Sequence, residues 1–133
     1  MSDAAALYLC VGLGSGLGGM GRFWISGLLA GTRVGETFPL GTLVVNVTGS
    51  FLIGLVAALT GPDGRLAWSQ RAIQFFMAGL CGGFTTFSSF SLQTLNLVHE
   101  GEHGAALLNI ILSVATCLLS VWLGYAGGQA LNR

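Results

Sequence analysis

Three stretches of this chain hold residue types from which chemistry can be made inside an apolar setting, and none of them contains a carboxylate. The stretch "GLCGGFTTFSSFS", Gly79 to Ser91, places three glycines, two threonines, three serines and three phenylalanines in the middle of an apolar run from about 72 to 98. Each glycine lowers helix propensity by about 1 kcal/mol, and the hydroxyls of Thr85, Thr86, Ser88 and Ser89 compete with the helix for backbone partners. A break near Gly82–Thr86 is therefore expected. In a bilayer the carbonyls and amides freed by a break are tolerated only when buried in protein or lining a cavity, and broken helices of this kind coordinate ions in transporters. Beyond the break, Phe87, Phe90 and Ser91 recur at i, i+3 and i+4, on one helical face. An aromatic ring has a negative face and a positive edge, so ring edges and a hydroxyl on that face suit an anion that must give up water.

The second stretch, "PLGTLVVNVTGSFLIG", sets Thr42, Asn46, Gly49 and Ser50 at i, i+4, i+7 and i+8, again one face, with Leu, Val, Ile and Phe on the others. The third, "NIILSVATCLLSVWLGY", does the same with Asn109, Ser113, Thr116 or Cys117, and Ser120. Such stripes serve either as interhelical hydrogen bonds, worth about 1 kcal/mol each, or as the lining of a pathway; the broken stretch favours the pathway. No Asp, Glu, His or Lys falls inside the apolar runs, so a buried general base, a carboxylate cation site and a proton relay have no candidate residue. An enzyme is not expected. Cys10, Cys81 and Cys117 are odd in number with no C-x-x-C spacing and read as small hydrophobes, and His99 and His103 of "HEGEHG" read as a hydrated loop.

The elements that must position these residues follow from composition and from where the charges fall. The chain is 53% hydrophobic and only 8% charged, against roughly 25% charged in a soluble domain. Its 22 glycines suit helices whose backbones approach closely in a membrane. Asp3, Arg22, Arg33, Glu36, Asp63, Arg65, Arg71, Glu100, Glu102 and Arg133 punctuate four apolar runs at about 4–30, 40–59, 71–98 and 105–130. Each reaches the ~20 residues needed to cross the bilayer. The expected architecture is an all-α membrane protein, a single domain over 1–133 with four transmembrane helices, the third broken. The first run lacks a basic flank and is too long for a signal peptide, so it is read as part of the mature protein. Four crossings put Arg65, Arg71 and Arg133 on one side and Arg33, with Arg22 if near its helix end, on the other. Because basic residues near helix ends set orientation, this near tie leaves insertion in both directions open.

"GGMGRF" (Gly18–Phe23), "GTLVVNVTGSFLIG" (Gly41–Gly54) and "GLCGGFTTFSSFS" resemble, in order and spacing, the three signature segments of the Fluc family of fluoride channels, also called CrcB. The resemblance covers essentially the whole chain. It implies an antiparallel, dual-topology homodimer in the bacterial inner membrane, multi-pass, that passively exports fluoride through two pores around a central structural sodium ion. It further implies that Asn46 is a pore-lining amide, that Phe87 and Phe90 are paired rings along the ion path, and that Arg22 is the cation of an aqueous vestibule. Main-chain oxygens of Gly82 and Thr85 from both subunits would hold the sodium. A polar track on the fourth helix would fall on Asn109, Ser113 and Cys117 or Thr116, Asn109 standing where the family often has an aromatic hydroxyl. Gly19 stands where the family pattern favours alanine. The expected ion path thus comprises Thr42, Asn46, Phe87, Phe90, Ser91, Asn109 and Ser113, and the expected partners are fluoride, lipid and a second copy, with no nucleic acid.

Two other readings fit a four-helix chain of this size. A small multidrug-type exporter normally needs a glutamate in its first helix, where this sequence has only Arg22. A non-transporting assembly subunit would use every polar stripe to join helices.

Overall fold

A computed structural model describes residues 2–133, and among them all regular structure is helical. Helix α1 (Asp3–Ala30) begins where the Ser2 hydroxyl accepts a hydrogen bond from the Ala5 amide, a standard way to satisfy a first-turn donor. Helix α2 (Leu40–Thr60) follows Pro39 and stops before Gly61 and Pro62. The third membrane-length segment, Gln70–His99, consists of four pieces. Ser69 caps α3 (Gln70–Gln74), a π-helical stretch follows over Phe75–Cys81, then the single turn α4 (Gly82–Phe84), and after two extended residues α5 (Phe87–His99). Gly101, at φ 81, turns the chain into α6 (His103–Asn132). Among the described residues four segments are thus long and apolar enough to cross a membrane. The break at Thr85–Thr86 lies inside the expected range, but Gly82–Phe84 keep helical geometry and the π-helical stretch before them carries no compositional signature. π-Turns of this kind recur at functional sites.

The broken segment belongs to two neighbours at once. Its first half lies against α1, and α5 lies against α6 and α2, while α2 and α6 pack along each other. Glycines set the first contact: a Cβ on Gly14 would stand 2.9 Å from the Gly79 Cα, and one on Gly18 would stand 2.7 Å from the Phe84 amide nitrogen. The second contact is built alike, since a Cβ on Gly124 would lie 3.0 Å from the Leu55 nitrogen and one on Gly128 2.6 Å from the Ala58 Cβ. Where helices share an apolar solvent, close backbone approach is what lets them associate. The Ser120 hydroxyl adds a 2.8 Å hydrogen bond to the Val47 carbonyl across the α2–α6 seam.

Large apolar side chains such as Tyr8, Leu13, Phe23, Trp24, Leu118 and Trp122 face outward. That surface matches hydrocarbon, where a helix gains nothing by hiding its leucines. One end of the bundle is tied by polar groups. Arg71 and Asp3 form a 2.6 Å ion pair. The Arg65 guanidinium donates to the Leu131 carbonyl at 2.6 Å, while Asn132 accepts from the Arg65 amide at 3.1 Å and donates to the Ala58 carbonyl at 2.9 Å. The amino-terminal end, the second loop and the end of α6 therefore share one side, as four crossings require.

Candidate functional site

Thr85 and Thr86 break the third segment with extended backbone, at φ −88, ψ 158 and φ −154, ψ 115. The groups this frees are claimed by side chains. Asn46, reaching in from α2, grips Thr86 at two points: its Oδ1 accepts from the Thr86 amide at 2.7 Å, and its Nδ2 donates to the Thr86 carbonyl at 3.1 Å. The Thr86 hydroxyl accepts from the Ser89 amide at 3.1 Å and so caps α5. Thr85 turns back on its own helix, its amide and hydroxyl both donating to the Cys81 carbonyl at 3.0 and 2.9 Å.

These bonds decide which carbonyls are left open. In an unbroken α-helix each carbonyl accepts from the amide four residues on, so Gly82 would accept from Thr86 and Thr85 from Ser89. Both amides are diverted, one to Asn46 and the other to the Thr86 hydroxyl. The oxygens of Gly82 and Thr85 thereby lose their helical donors, and these are the two main-chain oxygens that the resemblance implies for a cation. Neutral hard oxygens of opened backbone suit an alkali cation, so the donor set fits sodium.

A cleft of about 370 Å³ lies beside the break. Its walls are Asn46, Gly49, Ser50 and Ile53 of α2, Cys81, Gly82, Thr85, Thr86, Phe87 and Phe90 of the broken segment, and Ser113, Val114, Cys117 and Leu118 of α6. Phe87 and Phe90 stand 5.2 Å apart between ring centroids, tilted 52°, but in unlike surroundings: Phe90 is 8% exposed and Phe87 76%. A second cavity of about 400 Å³ is lined by Gly19, Arg22, Phe23, Ser26, Thr42, Thr86, Ser89 and Gln93. Thr86 borders both. The Arg22 Nε and the Gln93 Oε1 are buried there without a hydrogen-bond partner among the described residues.

The residues marked from the sequence therefore divide. Asn46, Phe87, Phe90 and Ser113 meet at the first cleft together with Gly82 and Thr85. Thr42 and Arg22 line the second cavity. Asn109 borders neither; it is 2% exposed, donates to the Thr94 hydroxyl at 2.8 Å and accepts from Ser113 at 3.3 Å, and Thr94 in turn donates to the Phe90 carbonyl at 2.8 Å. Ser91 is exposed and spends its proton on the Phe87 carbonyl at 2.9 Å. The sequence reading missed Ser89 as the partner of Thr86, Thr94 as the partner of Asn109, and Gln93 beside Arg22. Thr86, Ser89 and Gln93 stand at i, i+3 and i+7 on one face, but that spacing alone does not single out Gln93.

Four membrane-length helices among the described residues, close-packed through glycine and opened around a cleft, define a small multi-pass membrane protein. The chain matches the family described as "CrcB-like protein, Camphor Resistance (CrcB)" over residues 9–125 and belongs to it. It is 54% identical over 126 residues to a "Fluoride-specific ion channel FluC" of Rhodospirillum rubrum, covering 95% of this chain and 97% of that one. A protein of the same description from Methylocella silvestris is 55% identical over 126 residues, 95% of each chain. Another, from Opitutus terrae, is 54% identical over 127 residues, 96% of each.

Proposed function

We propose that this protein is a fluoride-selective channel that lets fluoride leave the cytoplasm passively, working as an antiparallel homodimer with two pores and a structural sodium ion at its centre. The observation that carries the reading is the convergence of Asn46, Phe87, Phe90 and Ser113 on one cleft beside the opened turn. The relatives' description as fluoride-specific channels supports the choice of ion. Fluoride is small and strongly hydrated, so a narrow path must offer many donors, none strong enough to trap it. The Ser113 hydroxyl and the positive edges of two rings are donors of that kind. Asn46 has both ends of its amide on Thr86, so what it offers an anion is the second Nδ2 hydrogen, held in place by the other bonds.

The pairing of Phe87, exposed yet part of the cleft wall, with the buried Phe90 supports the homodimer, because a second copy seated there would cover the open ring of the pair. The opened oxygens of Gly82 and Thr85 would hold the sodium, which would supply fixed positive charge near the centre of the assembly. Arg22 would gather anions at the second cavity. With no membrane carboxylate there is nothing to couple flow to protons. The expected location is the bacterial inner membrane.

The test is efflux from reconstituted vesicles followed with a fluoride electrode. Fluoride should leave without a pH gradient while chloride stays; matching chloride efflux, or dependence on a proton gradient, would overturn the reading. For the cation, replacing sodium with N-methyl-D-glucamine should lower the melting temperature of the purified protein, and an unchanged value removes the sodium assignment.

A further inference from the structure

Thr85 carries one of the two main-chain oxygens left open at the break, and its backbone, at φ −88 and ψ 158, has left the helix that would otherwise orient that oxygen. Asn46 holds the next residue, Thr86, by both of its backbone groups. Thr85 is held differently. Its amide and hydroxyl both donate to the Cys81 carbonyl, at 3.0 and 2.9 Å. Because threonine branches at Cβ, a fixed hydroxyl also fixes the methyl. That methyl lies where a side chain on Gly49 would begin. A Cβ built on Gly49 would collide with the Thr85 Cγ2, and its next neighbours would be the Phe84 Cδ1 at 3.4 Å and the Thr85 Cβ at 3.8 Å. Gly49 is buried and stands three residues after Asn46, on the same face of α2.

We infer that Gly49 is a positioning residue for the cation: its missing side chain is a socket for the Thr85 methyl, and the seated methyl fixes the direction of the Thr85 carbonyl. The inference rests on the reading of the Gly82 and Thr85 oxygens as sodium ligands. Neutral carbonyls hold a cation well only when they are already aimed, because ordering them at the moment of binding costs free energy. At Thr85 the aim comes from three attachments, the amide, the hydroxyl and the methyl, and α2 supplies the last of them. Asn46 and Gly49 therefore act as a pair, one gripping Thr86 by hydrogen bonds and the other seating Thr85 by shape. The fit between residues 49 and 85 tolerates one methyl group and no more. A second methyl must push Thr85 out of place, as overpacked sites do. Serine at position 85 would keep the bond to Cys81 and leave the socket empty.

The experiment compares the melting temperature of the purified full chain in sodium and in N-methyl-D-glucamine. A ligand that binds only the folded protein raises that temperature, so the difference between the two media reports the cation, whereas a purely structural defect lowers both values together. Gly49→Ala should lose the sodium-dependent rise, and Thr85→Ser should keep part of it. The double variant Gly49→Ala,Thr85→Ser should recover more of the rise than either single variant, because the methyl has only changed sides and its remaining neighbours stand at ordinary contact distances. Gly54→Ala serves as the control: its Cβ would crowd the Tyr125 nitrogen at 3.1 Å in the α2–α6 seam, so both melting temperatures should fall and the rise should stay. If Gly49→Ala does not fold, the double variant is judged against Thr85→Ser. A double variant no better than Thr85→Ser overturns the inference, as does a full rise in Gly49→Ala or an equal loss of it in Gly54→Ala. A parent protein without the rise ends the sodium reading itself, and the inference with it.

Discussion

The Asn46–Thr86 clamp gives the sharpest prediction. Replacing Asn46 with Asp keeps the size and shape of the side chain but removes the Nδ2 donor that bonds the Thr86 carbonyl at 3.1 Å. The second oxygen now faces that carbonyl, leaving a partly buried acceptor unsatisfied at a cost of about 1–3 kcal/mol. The effect on an anion is larger. A carboxylate about 5 Å from a passing fluoride, at an effective dielectric constant of about 20, repels it by roughly 3 kcal/mol. At about 1.4 kcal/mol per factor of ten, that is a loss on the order of 100-fold in occupancy of the path. Asn46→Asp should therefore abolish fluoride efflux in the electrode assay while the protein stays monodisperse and helical. Asn46→Leu, which removes both bonds without adding charge, should lower the melting temperature more than Asn46→Asp does and leave more of the flux. An Asn46→Asp protein that conducts within about threefold of the parent, less than 1 kcal/mol on the same scale, would refute the placement of Asn46 on the ion path.

The other expectations concern the neighbours of the clamp. Phe90→Ile keeps most of the buried apolar volume but removes the ring whose centroid lies 5.2 Å from that of Phe87, so efflux should vanish with the fold intact; normal efflux would take the rings out of the path. Asn109→Leu removes the bonds to Thr94 and from Ser113, costing about 1–2 kcal/mol at roughly 1 kcal/mol per bond. It should lower the melting temperature and slow efflux by loosening the α5 turn that carries Phe90, whereas slower efflux at unchanged stability would make Asn109 a contact of the ion instead. Gly18→Val drives a side chain into the backbone of Leu80 and Phe84 and should destabilise the protein by about 1–3 kcal/mol or more. Gly12→Val, with open space around it, should fall within about 0.5 kcal/mol of the parent; equal melting temperatures for the two would show that α1 does not pack as described.

The helices were legible because membrane composition leaves few ways to write them: apolar runs cut by ten charged residues mark their own ends. The break was legible because glycines and hydroxyls at Gly82–Thr86 are locally unfavourable to a helix. The π-helical turn at Phe75–Cys81 was not, because its extra residue reflects how that half segment seats against α1 and not its own composition. Helical spacing placed Thr42, Asn46 and Ser113 on inward faces, yet spacing says only which way a side chain starts. Asn109 shares the stripe of Ser113 but its amide finds Thr94, a residue of the neighbouring helix that only tertiary packing brings close. Ser91 shares the face of Phe87 and then bends its hydroxyl back to its own helix, the competing local bond that serines in apolar helices commonly take. Gln93 went unmarked because a single amide four residues past Ser89 means little until Arg22 of α1 is seen beside it.

The ties around Arg65 have a consequence for the order in which the molecule is made. Asn132 follows Arg65 by 67 residues, and the loop between α2 and α3 takes its bonds from the last turn of α6. Until α6 has been made, that loop has only its local bonds, such as those from the Gly64 amide to the Gly61 carbonyl and from the Leu66 amide to the Leu59 carbonyl, both 2.9 Å; its ties to α6 come last. The end of α6 then acts as a latch that closes a hairpin completed much earlier, and a bulky tag fused directly after Asn132 would be felt in a loop half the sequence away.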